Sequence, residues 1–155
     1  EQMELVRSGA VPLEQVVEEF VRYHPAFAYM RRTATKDTEL KGRQIKAGDK
    51  LALWYVSGNR DESVFENPDY FDVRREPNPH QGFGGGGRHF CLGAGLARLE
   101  LKLWIEESLR RFDTIEIDGG FTEPQFLMTQ GYVFEAEVSP ILIRSAPRAT
   151  IRRCR

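Results

Sequence analysis

A run of four glycines and a cysteine, placed directly before a leucine-rich segment, constrains this chain more than any other feature. The segment is Gly82-Phe-Gly-Gly-Gly-Gly-Arg-His-Phe-Cys-Leu-Gly93. It leads into a stretch that predicts a helix over 92–112, buried on much of its circumference because its apolar residues form two stripes. The first stripe is Leu92, Leu96, Leu99 and Leu103, and the second is Leu101, Ile105, Leu109 and Phe112. Cys91 is thus expected to face the free N–H groups and positive dipole of a helix N-terminus, which favour a thiolate.

Several kinds of site could use such a loop. A thiolate can hold a haem iron axially, and glycines let the backbone approach a flat macrocycle closely. Arg88 and His89 lie where they could meet an anionic group such as a propionate. The loop lacks the Lys and Ser/Thr of a phosphate-binding loop and the glycine spacing of a dinucleotide loop, and only His80 and His89 are nearby for zinc. From the loop alone, a haem site and a flexible glycine linker are evenly matched.

The rest of the chain predicts a mainly α fold with small antiparallel β-sheets. Residues 12–23 have the apolar spacing of an amphipathic helix, which His24-Pro25 would end. Residues 27–56 alternate apolar and polar side chains between glycine turns, which predicts short antiparallel strands, and 114–144 predicts further strands and turns. Residues 57–90 are a long irregular stretch whose aromatic content argues against disorder.

Composition excludes some classes of function and location. The 155 residues are 41% hydrophobic and 29% charged, with a net charge of −1, so nothing favours binding to nucleic acid. No apolar run is long enough to predict a transmembrane segment. The two cysteines, Cys91 and Cys154, are expected to be free thiols in a reducing, cytoplasmic compartment.

Three motifs in one order resemble the cytochrome P-450 family. The glycine loop with His89, Cys91 and Gly93 is similar to the family's cysteine-loop signature. Glu19 and Arg22, in EEFVR, match its E-x-x-R helix, and FDVRR, residues 71–75, matches the segment that supplies a second arginine, Arg75. Phe83 lies eight residues before Cys91, one more than is usual, which resembles actinobacterial members that hydroxylate steroids and branched lipids.

The resemblance implies a cofactor and a set of site residues. Residues 1–144 would be the C-terminal, haem-binding portion of an incomplete cytochrome P-450 domain, and the basic tail 145–155 is expected to be disordered. Haem b would be held by Cys91 as the iron ligand, with Phe83 beside it and Arg32 and His89 on its propionates. Glu19, Arg22 and Arg75 would form a structural network behind the haem. Regions expected to line the substrate pocket, or equally to be plain core, are Phe27, Ala28, Tyr29, Tyr132 and Val133.

The activity that the resemblance implies is a haem-thiolate monooxygenase. It would insert one oxygen atom from dioxygen into an apolar substrate, a steroid or branched lipid, with electrons from a ferredoxin-like partner. No segment matches the family's distal helix, so the chain is expected to be a fragment that supplies no proton-delivery group and binds haem poorly alone. Part of the 92–112 helix would then be uncovered. A non-catalytic remnant that keeps the haem motif and an adaptor with a glycine linker are the alternatives.

Overall fold

The computed structural model describes residues 1–112, 116–118 and 142–144. Its helices are α1 (Gln2–Arg7), α2 (Leu13–Tyr23), α3 (Tyr55–Gly58) and α4 (Ala94–Arg111), with a short 3₁₀ helix at Gly87–His89. Its strands are β1 (Tyr29–Thr33), β2 (Thr38–Leu40), β3 (Arg43–Ile45), β4 (Lys50–Trp54), β5 (Glu116–Asp118) and β6 (Leu142–Arg144). The predicted fold class, mainly α with small antiparallel sheets, is confirmed.

Helix α2 has the bounds that its flanking residues predict. Pro12 stands immediately before it, and His24 ends it with a non-helical backbone ahead of Pro25. Val16, Val17 and Val21 are buried at the spacing of one helix face. Glu19 and Arg22 are fully buried as well, although charged residues in an amphipathic helix usually face water.

The strands form three separate antiparallel pairs. β1 pairs with β4, in a register that sets Tyr29 opposite Trp54 and Arg32 opposite Leu51. β2 and β3 form a tight hairpin whose two turn residues, Lys41 and Gly42, both have positive φ, as a type I′ turn requires. β5 pairs with β6. The alternation in 27–56 therefore predicted this part of the fold correctly.

Two compact units divide the chain, Glu1–Ile105 and Glu106–Arg155. The first has a small apolar core, to which the irregular stretch after α3 contributes Phe65 and Val73, 3% and 1% exposed. That contribution explains the aromatic content of the stretch, since its side chains pack against α2 rather than remaining in solvent. No helix among the described residues combines the length and apolar character that crossing a bilayer requires.

In helix α4, one apolar stripe is buried or half-buried and the other is exposed. Ile105 in the second stripe is buried and Leu101 is half-buried. The first stripe is exposed, with Leu92 fully so and Leu96, Leu99 and Leu103 at 61%, 51% and 49%. The exposed first stripe agrees with the expectation that part of this helix is uncovered in a fragment, although periodicity did not indicate which stripe that would be.

Candidate functional site

The glycine loop presents Cys91 just before α4. Gly84, Gly86 and Gly87 all have φ between 75° and 93°, a left-handed backbone that other residues rarely adopt. The Cys91 N–H donates to the Phe83 carbonyl over 3.0 Å, and the Cys91 carbonyl accepts from the Ala94 N–H at the start of the helix. Cys91 is a free thiol of intermediate exposure, flanked by the exposed side chains of Phe90 and Leu92.

A buried ionic network lies on α2, where the E-x-x-R motif is. Arg22 makes a bidentate pair with Glu19, with Nε and Nη2 each 2.8 Å from a carboxylate oxygen. Arg75 donates from Nε to the same carboxylate over 3.2 Å. Two arginines on one buried carboxylate connect the helix to the segment 66–75 by charge-assisted hydrogen bonds. The structure therefore brings Glu19, Arg22 and Arg75 together.

Both arginines also bind backbone carbonyls of the irregular stretch. Arg22 donates to the carbonyls of Asn59, Pro68 and Tyr70. Arg75 donates to the carbonyls of Glu66, Asn67 and Tyr70. A loop that lacks a strand or helix partner for these carbonyls is held in shape by guanidinium groups instead.

Two asparagines that were not singled out from the sequence complete this network. Asn78 donates to Glu19 Oε2 over 3.1 Å. Asn59 is fully buried, donates to the Arg22 carbonyl and accepts the Gln81 N–H over 2.7 Å. Asn59 thereby joins the buried helix to the start of the glycine loop. No spacing rule identifies such residues, since each acts over a separation that only the folded path of the loop brings together.

His80 is a second residue that links the loop to α2. Its Nε2 lies 2.8 Å from Glu18 Oε2, and its Nδ1 accepts the Gly82 N–H over 3.1 Å. Glu18 also accepts two hydrogen bonds from Arg98 of α4. The pKa of Glu18 is held below its ordinary value because Arg98 and then His80 donate to it, although burial opposes the shift. His80 therefore packs within the loop and holds it to α2.

The other residues predicted from the sequence to form the site lie outside the buried network. Arg32 is exposed on β1 and donates to the carbonyl of Arg31. His89 is exposed at the end of the 3₁₀ helix. Phe27 and Ala28 are exposed, while Tyr29 packs on Trp54 with 4.7 Å between ring centroids. Tyr132 and Val133 lie outside the described residues, as does Cys154.

The residues around Cys91 fit a haem in their chemistry. The thiol is a free soft donor, the exposed Phe90 and Leu92 beside it are apolar, and Arg88 and His89 supply basic groups for carboxylates. A Cβ added at Gly86 or Gly87 would meet nothing within 4 Å, so this part of the loop borders open space. The cleft between α2 and α4, lined by Val17, Leu99 and their charged neighbours, does not include Cys91 among its lining residues.

Comparison with known proteins decides the family. The model of the family described as cytochrome P-450 matches residues 11–136. The chain belongs to the cytochrome P-450 family. The resemblance drawn from the cysteine loop, E-x-x-R and FDVRR is thereby confirmed.

Curated relatives in the family are much longer than this chain. A methyl-branched lipid omega-hydroxylase of Mycobacterium tuberculosis is 52% identical over 115 residues, which are 74% of this chain and 26% of the relative. Cytochrome P-450-terp of a Pseudomonas species is 42% identical over 146 residues, 94% of this chain and 33% of the relative. A steroid C26-monooxygenase of Rhodococcus jostii is 56% identical over 86 residues, which are 56% of this chain and 18% of the relative.

Solved cytochrome P-450 structures share the fold. Substrate-free CYP109E1 from Bacillus megaterium superposes with a TM-score of 0.79 at 32% identity, covering 94% of this chain and 36% of that one. Cytochrome P-450-153 from Novosphingobium aromaticivorans gives a TM-score of 0.72 at 48% identity, covering 77% and 30%. The chain therefore has the fold of about a third of a family structure.

Proposed function

We propose that this chain is the haem-holding portion of a haem-thiolate monooxygenase, with Cys91 as the iron ligand. The observation that carries the proposal is the free, partly exposed thiol of Cys91 at the end of a loop whose backbone is tied to α2 and leads directly into α4. A loop tied in this way can present one sulfur in a fixed direction. Membership of the cytochrome P-450 family supports the assignment of that sulfur to haem.

Each residue of the site has a separate task in this proposal. Bound haem supplies the activation of dioxygen and the insertion of one of its atoms into a substrate C–H bond. Cys91 would hold the haem iron through its sulfur, and thiolate ligation of that kind favours O–O cleavage. Arg32 and His89 would pair with the propionates of the haem, and Phe83 would contribute an apolar ring to its binding site.

The buried network positions the loop in this proposal and takes no part in the reaction. The stretch 66–75 is held against α2 by Glu19, Arg22 and Arg75. Asn59 accepts a hydrogen bond from the N–H of Gln81 and so fixes the backbone next to the glycine loop. Rigid support of this kind is what an axial ligand requires, because a small displacement of the sulfur would weaken its bond to iron.

The substrate proposed is a methyl-branched lipid or a steroid. Relatives with those printed activities share 52% and 56% identity with the matched parts of this chain. Phe27, Ala28, Tyr29, Tyr132 and Val133 are proposed as pocket residues, of which Phe27 is an apolar side chain 51% exposed. The cofactor is proposed to be haem b, the electron donor a ferredoxin-like protein, and the location the cytoplasm, where a reducing environment keeps Cys91 and Cys154 as thiols.

Reconstitution with haemin tests the ligand assignment. Because the chain alone is expected to bind haem poorly, it is supplied with the N-terminal part of a relative, titrated with haemin, reduced and exposed to carbon monoxide, and the position of the Soret band is recorded. We expect the strongly red-shifted band of thiolate ligation in the unaltered chain, and its loss in Cys91→Ala. Cys154→Ala is the matched control, because it also removes one of the two thiols and is expected to leave the band unchanged.

The outcome also separates the alternatives. A red-shifted band that survives in Cys91→Ala and disappears in Cys154→Ala would overturn the ligand assignment. No haem uptake at all, even when the N-terminal part of a relative is supplied, would favour an adaptor with a glycine linker. A thiolate band without oxygenation of any branched lipid or steroid in the complemented protein would favour a non-catalytic remnant.

A further inference from the structure

A cluster of three side chains joins three segments beside the glycine loop. Glu18 belongs to α2, His80 to the irregular stretch and Arg98 to α4. Arg98 donates from Nε and Nη2 to the two carboxylate oxygens of Glu18, and His80 Nε2 lies 2.8 Å from Oε2. Because His80 Nδ1 accepts the Gly82 N–H, its ring proton lies on Nε2 and is donated to Glu18.

The cluster reaches Cys91 through Phe83. The Arg98 guanidinium carbon lies 4.6 Å from the centroid of the Phe83 ring, within the range of a cation–π contact. His80 packs on the same ring with 5.9 Å between centroids. The Phe83 carbonyl accepts the Cys91 N–H over 3.0 Å. One residue therefore links the cation to the backbone that carries the sulfur.

Burial and charge make this connection rigid. The His80 side chain is 3% exposed, and those of Glu18 and Arg98 are 29% and 38% exposed. The pKa of the Arg98 guanidinium is raised, mainly by its hydrogen bonds to Glu18. A bidentate pair fixes the plane of the guanidinium, which a flexible lysine would not do.

We propose that Arg98 is a positioning residue for Cys91. Glu18, which also accepts from His80, holds the Arg98 guanidinium in place. The guanidinium in turn fixes the Phe83 ring, and thereby the backbone that presents the Cys91 sulfur. The function of that sulfur as an iron ligand rests on the proposed function above. The positioning itself is a property of the chain and is measurable without haem.

Neighbouring Lys102 provides a matched control. Lys102 Nζ pairs with Glu14 in an ion pair that also joins α4 to α2, one helical turn from the Arg98–Glu18 pair on both helices. A loss of helix–helix attraction alone would therefore follow from Lys102→Ala as well as from Arg98→Ala. Only the loss of Arg98 removes a contact with Phe83.

Amide hydrogen exchange of the full chain, measured by NMR at Cys91, tests the proposal. Loss of the guanidinium frees the ring and loosens the bond from the Cys91 N–H to the Phe83 carbonyl. We expect exchange at Cys91 to be roughly tenfold faster in Arg98→Ala, a change typical of increased local opening. Exchange should remain at the original rate in Lys102→Ala. Arg98→Lys keeps the charge but lacks the planar fork, so it should resemble Arg98→Ala.

Three results would overturn the proposal. They are unchanged exchange at Cys91 in Arg98→Ala, equal acceleration in Lys102→Ala, or full recovery in Arg98→Lys. Should Arg98→Ala lose helical circular dichroism, Phe83→Leu replaces it, since it removes the ring while leaving the Glu18 pair; unchanged Cys91 exchange there also contradicts the proposal. Failure of haem ligation in the unaltered chain, when the N-terminal part of a relative is supplied, would contradict the proposed function and leave these rates as a separate result.

Discussion

Arg22 shows how strongly one residue can determine the shape of a loop. Its side chain is fully buried, pairs with Glu19 and donates to three backbone carbonyls. In Arg22→Ala, Glu19 keeps Arg75 but loses its bidentate partner, and the carbonyls of Asn59 and Pro68 lose the donor that Arg22 provides. Breaking a buried pair from one side costs about 3–5 kcal/mol of unfolding free energy, and we expect a loss of that size in urea unfolding.

Arg74 is the control for that prediction, because it is an arginine of the segment 66–75 that Arg22 contacts, but it is 55% exposed and pairs with Asp72. Arg74→Ala is expected to leave the unfolding free energy unchanged within error, since exposed pairs contribute little. Equal losses in the two variants would contradict a specific function for the buried network. They would indicate only a general effect of positive charge.

Gly82 is required because α2 lies close to it. A Cβ there would be 2.4 Å from Val21 Cγ1 and 2.9 Å from the Val21 carbonyl oxygen, so Gly82→Ala forces the loop away from α2. Overpacking of this kind costs about 1–3 kcal/mol. Gly95→Ala is the control, since a Cβ in that helical position meets nothing and alanine favours a helix by up to about 1 kcal/mol. Thermal unfolding should show a lower Tm for Gly82→Ala and a higher Tm for Gly95→Ala. A change of Tm in the same direction for both would contradict the close approach of Gly82 to α2.

The two apolar faces of helix α4 differ in how far they are buried, and they should therefore differ in their contribution to stability. Ile105 is 8% exposed and Leu103 is 49% exposed, although both lie in apolar stripes. We expect Ile105→Ala to lose about 2–5 kcal/mol of unfolding free energy through the cavity it leaves. Leu103→Ala should change it by less than about 0.5 kcal/mol. Urea unfolding of both variants checks the contrast, and a comparable loss in Leu103→Ala would show that its stripe is covered.

Elements were predictable from the sequence where local chemistry determines them. Pro12 and His24-Pro25 define the ends of α2, and alternation with Lys41-Gly42 defines the hairpin, because these effects act over a few residues. The contact between Glu18 and His80 was not predictable, since 62 residues separate them and the path of the loop decides their distance. Part of α4 was expected to be uncovered, but the stripe that contains Leu92 could not be singled out, because a stripe of leucines carries no information about its partner.

Acid should destabilise the molecule partly through His24, at the end of α2, and Glu18, within α2, in addition to the other carboxyl groups whose pKa is lowered. The pKa of His24, at the end of α2, is lowered below 6.5 mainly by burial and then by the charge of Arg60. Folding therefore favours neutral His24, and stability begins to fall as the pH drops below 6.5. The pKa of Glu18 is lowered below 4.5, mainly by the hydrogen bond from Arg98. Its contribution is complete above 4.5 and is lost as the pH falls through its lower value in the folded chain.

The contributions of His24 and Glu18 to the pH dependence of stability can be separated by one substitution each. His24→Asn removes the titrating ring, so the unfolding free energy should become flatter between about pH 7 and pH 5 while its fall at lower pH remains. Glu18→Gln lowers stability at neutral pH by weakening the Arg98 pair, and it should flatten the curve between about pH 5 and pH 3. Urea unfolding followed by the fluorescence of Trp54 and Trp104 measures both curves. Because Glu18 is the residue shared by Arg98 and His80, an unchanged low-pH slope in Glu18→Gln would mean that these donors do not stabilise its charge in solution.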